Sequence, residues 1–286
     1  MSGELFGPIF VPDAFREAVS GRAWLQAMLD AEAALAVAGA RAGLIPPGEA
    51  EAIARNCDAG LFDAGEIGHR GRPAGNPVPA LARALTEEVA KTSETAARHV
   101  HMGATSQDIT DTAAMLVSRR ALDLILTEVD GIADACARLA REHRDTPMAG
   151  RTLLQQALPT TFGLKAAGWL VPVLEARRKL RQVRASGLAA QLGGAAGTLA
   201  SLGNSGPSVL REFALELGLP EPPLPWHTDR TRISTLAEAL SLLAGVLGKV
   251  SQDVVLMAQT EVGDVAEPAG EGRGGSSTLP HKRNPI

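Results

Sequence analysis

Side chains able to bind anions or move protons are concentrated in four stretches of this chain. The last is Gly274-Gly275-Ser276-Ser277-Thr278-Leu279-Pro280-His281-Lys282-Arg283-Asn284-Pro285. Its glycines open backbone conformations closed to other residues, and its prolines oppose helix continuation, so it reads as a mobile loop carrying hydroxyls, cations and an amide. A second stretch, His99 to Asp108, leads into an apolar-periodic segment. There Thr105 and Asp108 fit a capping box, and Ser106 is also a good cap. Free N–H groups and the helix dipole would equally suit an anion, and capping alone does not call for His101, Ser106 and Gln107 beside Thr105. The third stretch, Gly150 to Thr161, is rich in Thr and Gln and reads as a loop or helix start between two long helices. In the fourth, Trp226 to Arg232, a pair of arginines at a helix start opposes the dipole unless an anion lies nearby; the alternative is a solvated turn paired to acids elsewhere. His99 and His101 are two apart with no cysteine near, which is not a zinc spacing, and no Walker lysine follows the glycine-rich loop. The ligand implied is a small polyanion, a carboxylate, and no cofactor is called for.

These stretches need elements to hold them. Trp24, Met28, Ala31, Leu35 and Ala38 recur at helical spacing. A further helix runs from about Glu49 to near Gly60, and Gly65 to Pro79 reads as a loop. From Thr105 the texture changes. Ile109, Ala113, Leu116, Val117, Leu124, Val129, Ile132, Cys136 and Leu139 mark one helical stripe that could reach Arg144, roughly 55–60 Å at ~1.5 Å per residue. A second long helix follows Pro159, with a kink expected at Pro172, towards Ser186. Gly193 to Gly197 is a break, and Ser208 is expected to cap a short helix ending at Gly218. The last long pattern runs from Leu236 through Met257 and fades near Glu267. Strand-like alternation is not convincing anywhere. The chain therefore reads as all-α, with an N-terminal helical domain over 1–104 and a long-helix bundle over 105–286. Its apolar stripes must be buried within a bundle or shared between subunits.

Composition narrows the class further. At 286 residues, 45% hydrophobic and 21% charged, the chain is globular, and its net charge of −4 provides no basic field to draw nucleic acid. Cys57 and Cys136 sit in helical patterns and read as buried free thiols. The N-terminus lacks a secretory pattern, and the most apolar run, 239–248, is about half a membrane span, so a cytoplasmic protein without a membrane partner is expected.

Three of the four stretches also resemble one family. Gly275 to Pro285 is similar to the signature G-S-S-x-M-P-x-K-x-N-P of the fumarase/aspartase superfamily, with Leu279 in place of Met. Gly103 to Thr112 resembles its T-S-x-D-x-x-D-T segment, and Gly150-Arg151-Thr152 through Gln156 resembles its G-R-T-H-x-Q segment. Their order and separation match as well. Within the superfamily, Gly75 to Val78, 150–159, Pro225 to Thr228 and Gln259 to Gly263 look most like the 3-carboxy-cis,cis-muconate cycloisomerases. The resemblance implies a homotetramer with a shared helical core and sites assembled from three subunits. It also implies a cofactor-free reaction that converts 3-carboxy-cis,cis-muconate to 4-carboxymuconolactone in protocatechuate degradation. It gives proton transfer to Ser276, supported by Lys282, and carboxylate binding to Asn76, Ser106, Gln107, Thr152, Gln155, Lys282 and Asn284. His101 matches a substrate-binding histidine of adenylosuccinate lyases, while Arg232 is added on charge alone.

The departure at Leu153 carries chemical information. Relatives that expel an amine or hydroxide have a histidine there, because such groups leave badly without a proton. A carboxylate, with a pKa near ~4, is already ionised at neutral pH and needs no such help. Leucine therefore fits lactonisation and argues against an eliminating lyase acting on an adenylosuccinate- or argininosuccinate-like substrate. Superfamily members continue beyond the signature loop into further core helix and a C-terminal domain. A chain ending at Ile286 is thus expected to be incomplete, and an inactive truncated bundle is the third reading.

Overall fold

The computed structural model describes residues 5–268, 270, 274–276, 278, 279, 281, 282 and 284. Packing divides the chain into two compact units, Met1–Ile125 with Gln182–Leu236, and Leu126–Arg181 with Ala237–Ile286. The sequence texture changes once, near residue 105. The packing units interleave instead, because two long helices run from one into the other.

In the first unit, α1 (Gly7–Phe10) and α2 (Asp13–Ala18) precede α3 (Gly21–Arg41), whose first turn is capped by Ser20 Oγ accepting the Ala23 N–H at 3.1 Å. The buried face of α3 packs on α4 (Pro47–Arg55) and on α10 (Gly206–Leu217). Between these helices Leu25, Leu29, Ile53, Leu210 and Phe213 are withdrawn from water. The segment expected as a loop over 65–79 is largely helical: α5 (Ala64–Gly71) and a 3₁₀ turn lead into α6 (Val78–Ala90). Asp63 caps α5 through Glu66 N, Glu66 pairs with Arg70 at 2.8 Å, and Ile67 is buried, which together outweigh three glycines. Gly71 must be glycine, since a Cβ there would lie 2.9 Å from Asn76 O. The short α7 (Glu94–Ala97) then leads to α8 (Ser106–Glu142), 37 residues long and within two residues of the expected bounds at each end. In α10 the first turn is set by Pro207 rather than by a Ser208 cap, and Gly218 closes the helix in the left-handed region.

In the second unit the continuation of α8 packs with α9 (Phe162–Gln182) and α11 (Thr231–Met257) around Cys136, Ala166, Trp169 and Met257. Helix α9 accommodates Pro172 and passes into a π turn over Val183–Gly187. Helix α11 ends at Met257, ten residues before the apolar pattern was expected to fade. By length and composition alone α11 could cross a membrane, beyond the half-span read from 239–248, and 11% of its most apolar window is buried. Cys57 and Cys136 are buried free thiols.

The second unit also departs from the all-α expectation locally. β1 (Pro147–Thr152) pairs antiparallel with β2 (Gln155–Thr161), with an irregularity between Ala149 and Arg151. Gly150 fits this crossing because a Cβ would come within 2.5 Å of Leu158 O. The two-residue turn is Leu153-Leu154, both at positive φ, 49° and 62°. Such hairpin turns normally recruit Asn-Gly, so nothing in this sequence signalled one.

Candidate active site

In the first unit, the site residues expected near the start of α8, other than His101, fall into two sets of hydrogen bonds. Asn76 Oδ1 accepts the Val78 N–H at 2.8 Å, and its Nδ2 donates to Thr110 Oγ1 at 3.4 Å. Thr110 in turn donates to Ser106 O at 2.9 Å, joining the start of α6 to the first turn of α8. Gln107 donates to Asp111 at 3.3 Å and to His227 O at 3.0 Å.

The second set is centred on Asp108, a motif residue expected only as part of a capping box. Its side chain is fully buried and accepts five hydrogen bonds. Thr105 N and Gly194 N reach Oδ2, both at 2.9 Å; Gln191 Nε2 (3.0 Å), Gly193 N (2.9 Å) and His227 Nε2 (2.7 Å) reach Oδ1. The bond from Thr105 N is the reciprocal half of the expected capping box. A carboxylate so saturated has its oxygens satisfied without water. The negative charge that the N-terminus of α8 favours is thus supplied by the chain itself. Gly193 permits the close packing, since a Cβ there would meet the His227 ring at 2.5 Å.

The same organisation explains the paired arginines. Arg230 grips Asp111 with both terminal nitrogens, at 2.7 and 2.9 Å, and lies over the Trp226 ring at 5.5 Å. Arg232 donates to Gly187 O at 3.0 Å. Buried Gln191 bridges Asp108 and Trp226, accepting the Trp226 N–H at 2.6 Å. Sequence reasoning missed Gln191 and the Arg230–Asp111 pair. The available signal was two acids three residues apart at a helix start, in a chain with two arginines flanking another.

His101 lies outside this hub. It adopts a left-handed φ of 58°, and its Nδ1 is 2.6 Å from Oε1 of Glu32, a residue of α3 that is 1% exposed. Burial pulls the imidazole pKa down, but the hydrogen bond and charge of Glu32, with the charge of Asp108, leave it above its ordinary value. Glu32 occupies the apolar stripe of α3, and a carboxylate interrupting that stripe was the signal that could have found it.

The second unit carries the other expected residues. Thr152 and Gln155 are opposite one another across the hairpin, flanking the Leu153-Leu154 turn, and Leu153 is 96% exposed. A cleft of about 740 Å³ beside the hairpin is lined by Arg151, Thr152, Lys165, Asp253 and Gln259 among others. Arg151 pairs with Asp264 at 2.5 Å. In the signature loop, Gly274 O accepts the Asn284 N–H at 2.8 Å, and Gly274, at φ 66°, would clash with Asn284 O if it bore a Cβ. Ser276 Oγ accepts backbone N–H groups from Thr278 (3.3 Å) and Leu279 (3.1 Å). Lys282 is exposed. Ser277, Pro280, Arg283 and Pro285 lie outside the described residues.

The chain belongs to the lyase family, whose model matches residues 11–286. Among its relatives, the 3-carboxy-cis,cis-muconate cycloisomerase of Bradyrhizobium diazoefficiens is 50% identical over 282 residues, covering 99% of this chain and 62% of the relative. The nitrosuccinate lyase of Streptomyces davaonensis is 48% identical over 290 residues, covering 99% and 61%. The crystal structure of the 3-carboxy-cis,cis-muconate lactonizing enzyme from Pseudomonas putida superposes with a TM-score of 0.93 at 44% identity, covering 99% of this chain and 62% of that one. The chain thus spans about three fifths of the length of the relatives it matches.

Proposed function

We propose that the protein is a cofactor-free cycloisomerase that lactonises 3-carboxy-cis,cis-muconate, working as a cytoplasmic homotetramer. A substrate carboxylate oxygen adds to the diene, forming the C–O bond. The displaced π electrons pass to the neighbouring carboxylate as an aci-carboxylate, and protonation of the adjacent carbon completes the lactone with uptake of one proton. Ser276 delivers that proton. Supporting this role, its Oγ accepts two backbone N–H groups, the arrangement that stabilises the alkoxide left behind. Lys282 adds positive charge to the same loop. Asn76, His101, Thr105, Ser106, Gln107, Thr152, Gln155, Arg232 and Asn284 bind the substrate's carboxylates. The exposed apolar surface of α11 supports burial against other subunits.

The observation that carries the reading is Leu153 where a proton-donating histidine would serve a poor leaving group. A second reading has specific support in the 48% identity to a nitrosuccinate lyase. Nitrite, like a carboxylate, departs without a proton, so leucine fits a lyase that expels such an anion as well. It fits one that expels an amine poorly. In either reaction Ser276→Ala is expected to lower turnover by about 10³-fold, with the fold retained by circular dichroism. A near-normal rate in that variant would remove Ser276 from its role.

A further inference from the structure

Glu32 is an expensive residue for the position it occupies. It sits on the core face of α3 among Leu25, Met28, Leu29 and Leu35, and 1% of it reaches solvent. Ionised groups withdrawn from water are tolerated when their oxygens are satisfied. Here one oxygen meets His101 Nδ1 at 2.6 Å, and among the described residues Oε2 has no hydrogen-bond partner. A pair so incompletely satisfied is poor at holding a fold together, and a leucine would suit the stripe better. The neighbouring pair of His99 with Glu49, at 2.9 Å, is more open on its carboxylate side, with 22% of the glutamate side chain exposed against 0% for Glu32.

What the buried carboxylate does accomplish is to define an imidazole. As an acceptor, Glu32 requires a proton on Nδ1 of His101, which fixes how the ring offers its other nitrogen. The left-handed φ of His101 sets the backbone from which the ring reaches α3. About a fifth of the His101 side chain stays exposed (22%), and among the described residues Nε2 has no hydrogen-bond partner.

We propose that Glu32 is a positioning residue for His101, holding Nδ1 as a donor so that Nε2 is presented to a carboxylate of the substrate. Presentation to substrate rests on the cycloisomerase reading; the locking of the ring does not. The negative charge of Glu32 also favours a protonated ring, so that Nε2 acts as a donor suited to an anion rather than as a base.

The test combines Glu32→Leu and Glu32→Gln in the full chain with two readouts. Nitrogen-15 NMR of labelled histidine, with His101 assigned by its own substitution, reports which nitrogen carries the proton. At a pH above the ring's pKa, where it carries a single proton, wild type should show that proton on Nδ1, Glu32→Leu should lose that preference, and Glu32→Gln, whose amide oxygen can still accept, should restore most of it. In turnover, Glu32→Leu should raise KM about tenfold to a hundredfold while changing kcat much less, the signature of a lost ground-state contact. Unchanged His101 shifts in Glu32→Leu would overturn the positioning role. Altered shifts with an unchanged KM would overturn the link to substrate. Should wild type turn over no muconate, the function reading fails, while the NMR result still decides whether Glu32 locks the ring. If Glu32→Leu does not fold, the shifts and KM of Glu32→Gln, expected between those of wild type and a ring without an acceptor, decide instead.

Discussion

Asp108 and Glu32 are carboxylates of the same compact unit, 0% and 1% exposed, yet Asp108 accepts five hydrogen bonds and Glu32 one. Asp108 binds together three segments distant in sequence: the start of α8, the 191–194 strip and His227. Its surroundings leave it no capacity for a ligand. Among the described residues Glu32 has a single hydrogen-bond partner, itself partly exposed, so its charge passes outward through His101. A saturated buried charge stabilises architecture, and an unsaturated one next to an available ring serves something the fold does not contain. The difference sets a framework carboxylate on α8 against the α3 carboxylate proposed to position His101.

The largest effect should come from breaking the saturated member. Asp108→Ala removes five acceptor contacts at once and leaves buried donors without partners, so the protein should lose about 3–5 kcal/mol of unfolding free energy by denaturant titration. A loss below about 1 kcal/mol would erase the contrast, since Asp108 would then be no more structural than Glu32. A smaller effect distinguishes Glu32. Because the folded imidazole of His101 is raised above its ordinary range near ~6.5, the pair's contribution is fully present below that value and is lost as pH rises through the raised folded pKa. The stability cost of Glu32→Gln should therefore shrink between about pH 6 and pH 8, measured as the difference in melting temperature from wild type. A cost that is flat or grows with pH would mean that His101 is neutral when folded.

How much of this was legible beforehand follows from where the information resides. Helix α8 was readable because its stripe is long and its cap is local: Thr105 and Asp108 are three residues apart. The roles of Asp108 and Glu32 were not readable, since their partners lie 83–119 and 69 residues away in the bonds that decide them. The α5 segment looked like a loop because its glycines outvoted a cap and one ion pair that only packing of Ile67 makes decisive. The hairpin was hidden for the opposite reason. Its strands lack a clear apolar–polar alternation, and its turn uses two leucines at positive φ, conformations that local preference disfavours. That misreading still left Leu153 identified by its chemistry, and the structure puts it at the exposed tip of the hairpin between Thr152 and Gln155.

The chemical claim rests on that leucine and on Ser276, and one assay addresses it directly. The purified protein is incubated with 3-carboxy-cis,cis-muconate while the diene absorbance is followed, with nitrosuccinate, adenylosuccinate and argininosuccinate run in parallel. Loss of the diene with formation of 4-carboxymuconolactone is expected, and no fumarate from the two substrates that must expel an amine. Release of fumarate from adenylosuccinate or argininosuccinate, with the muconate diene untouched, would contradict it.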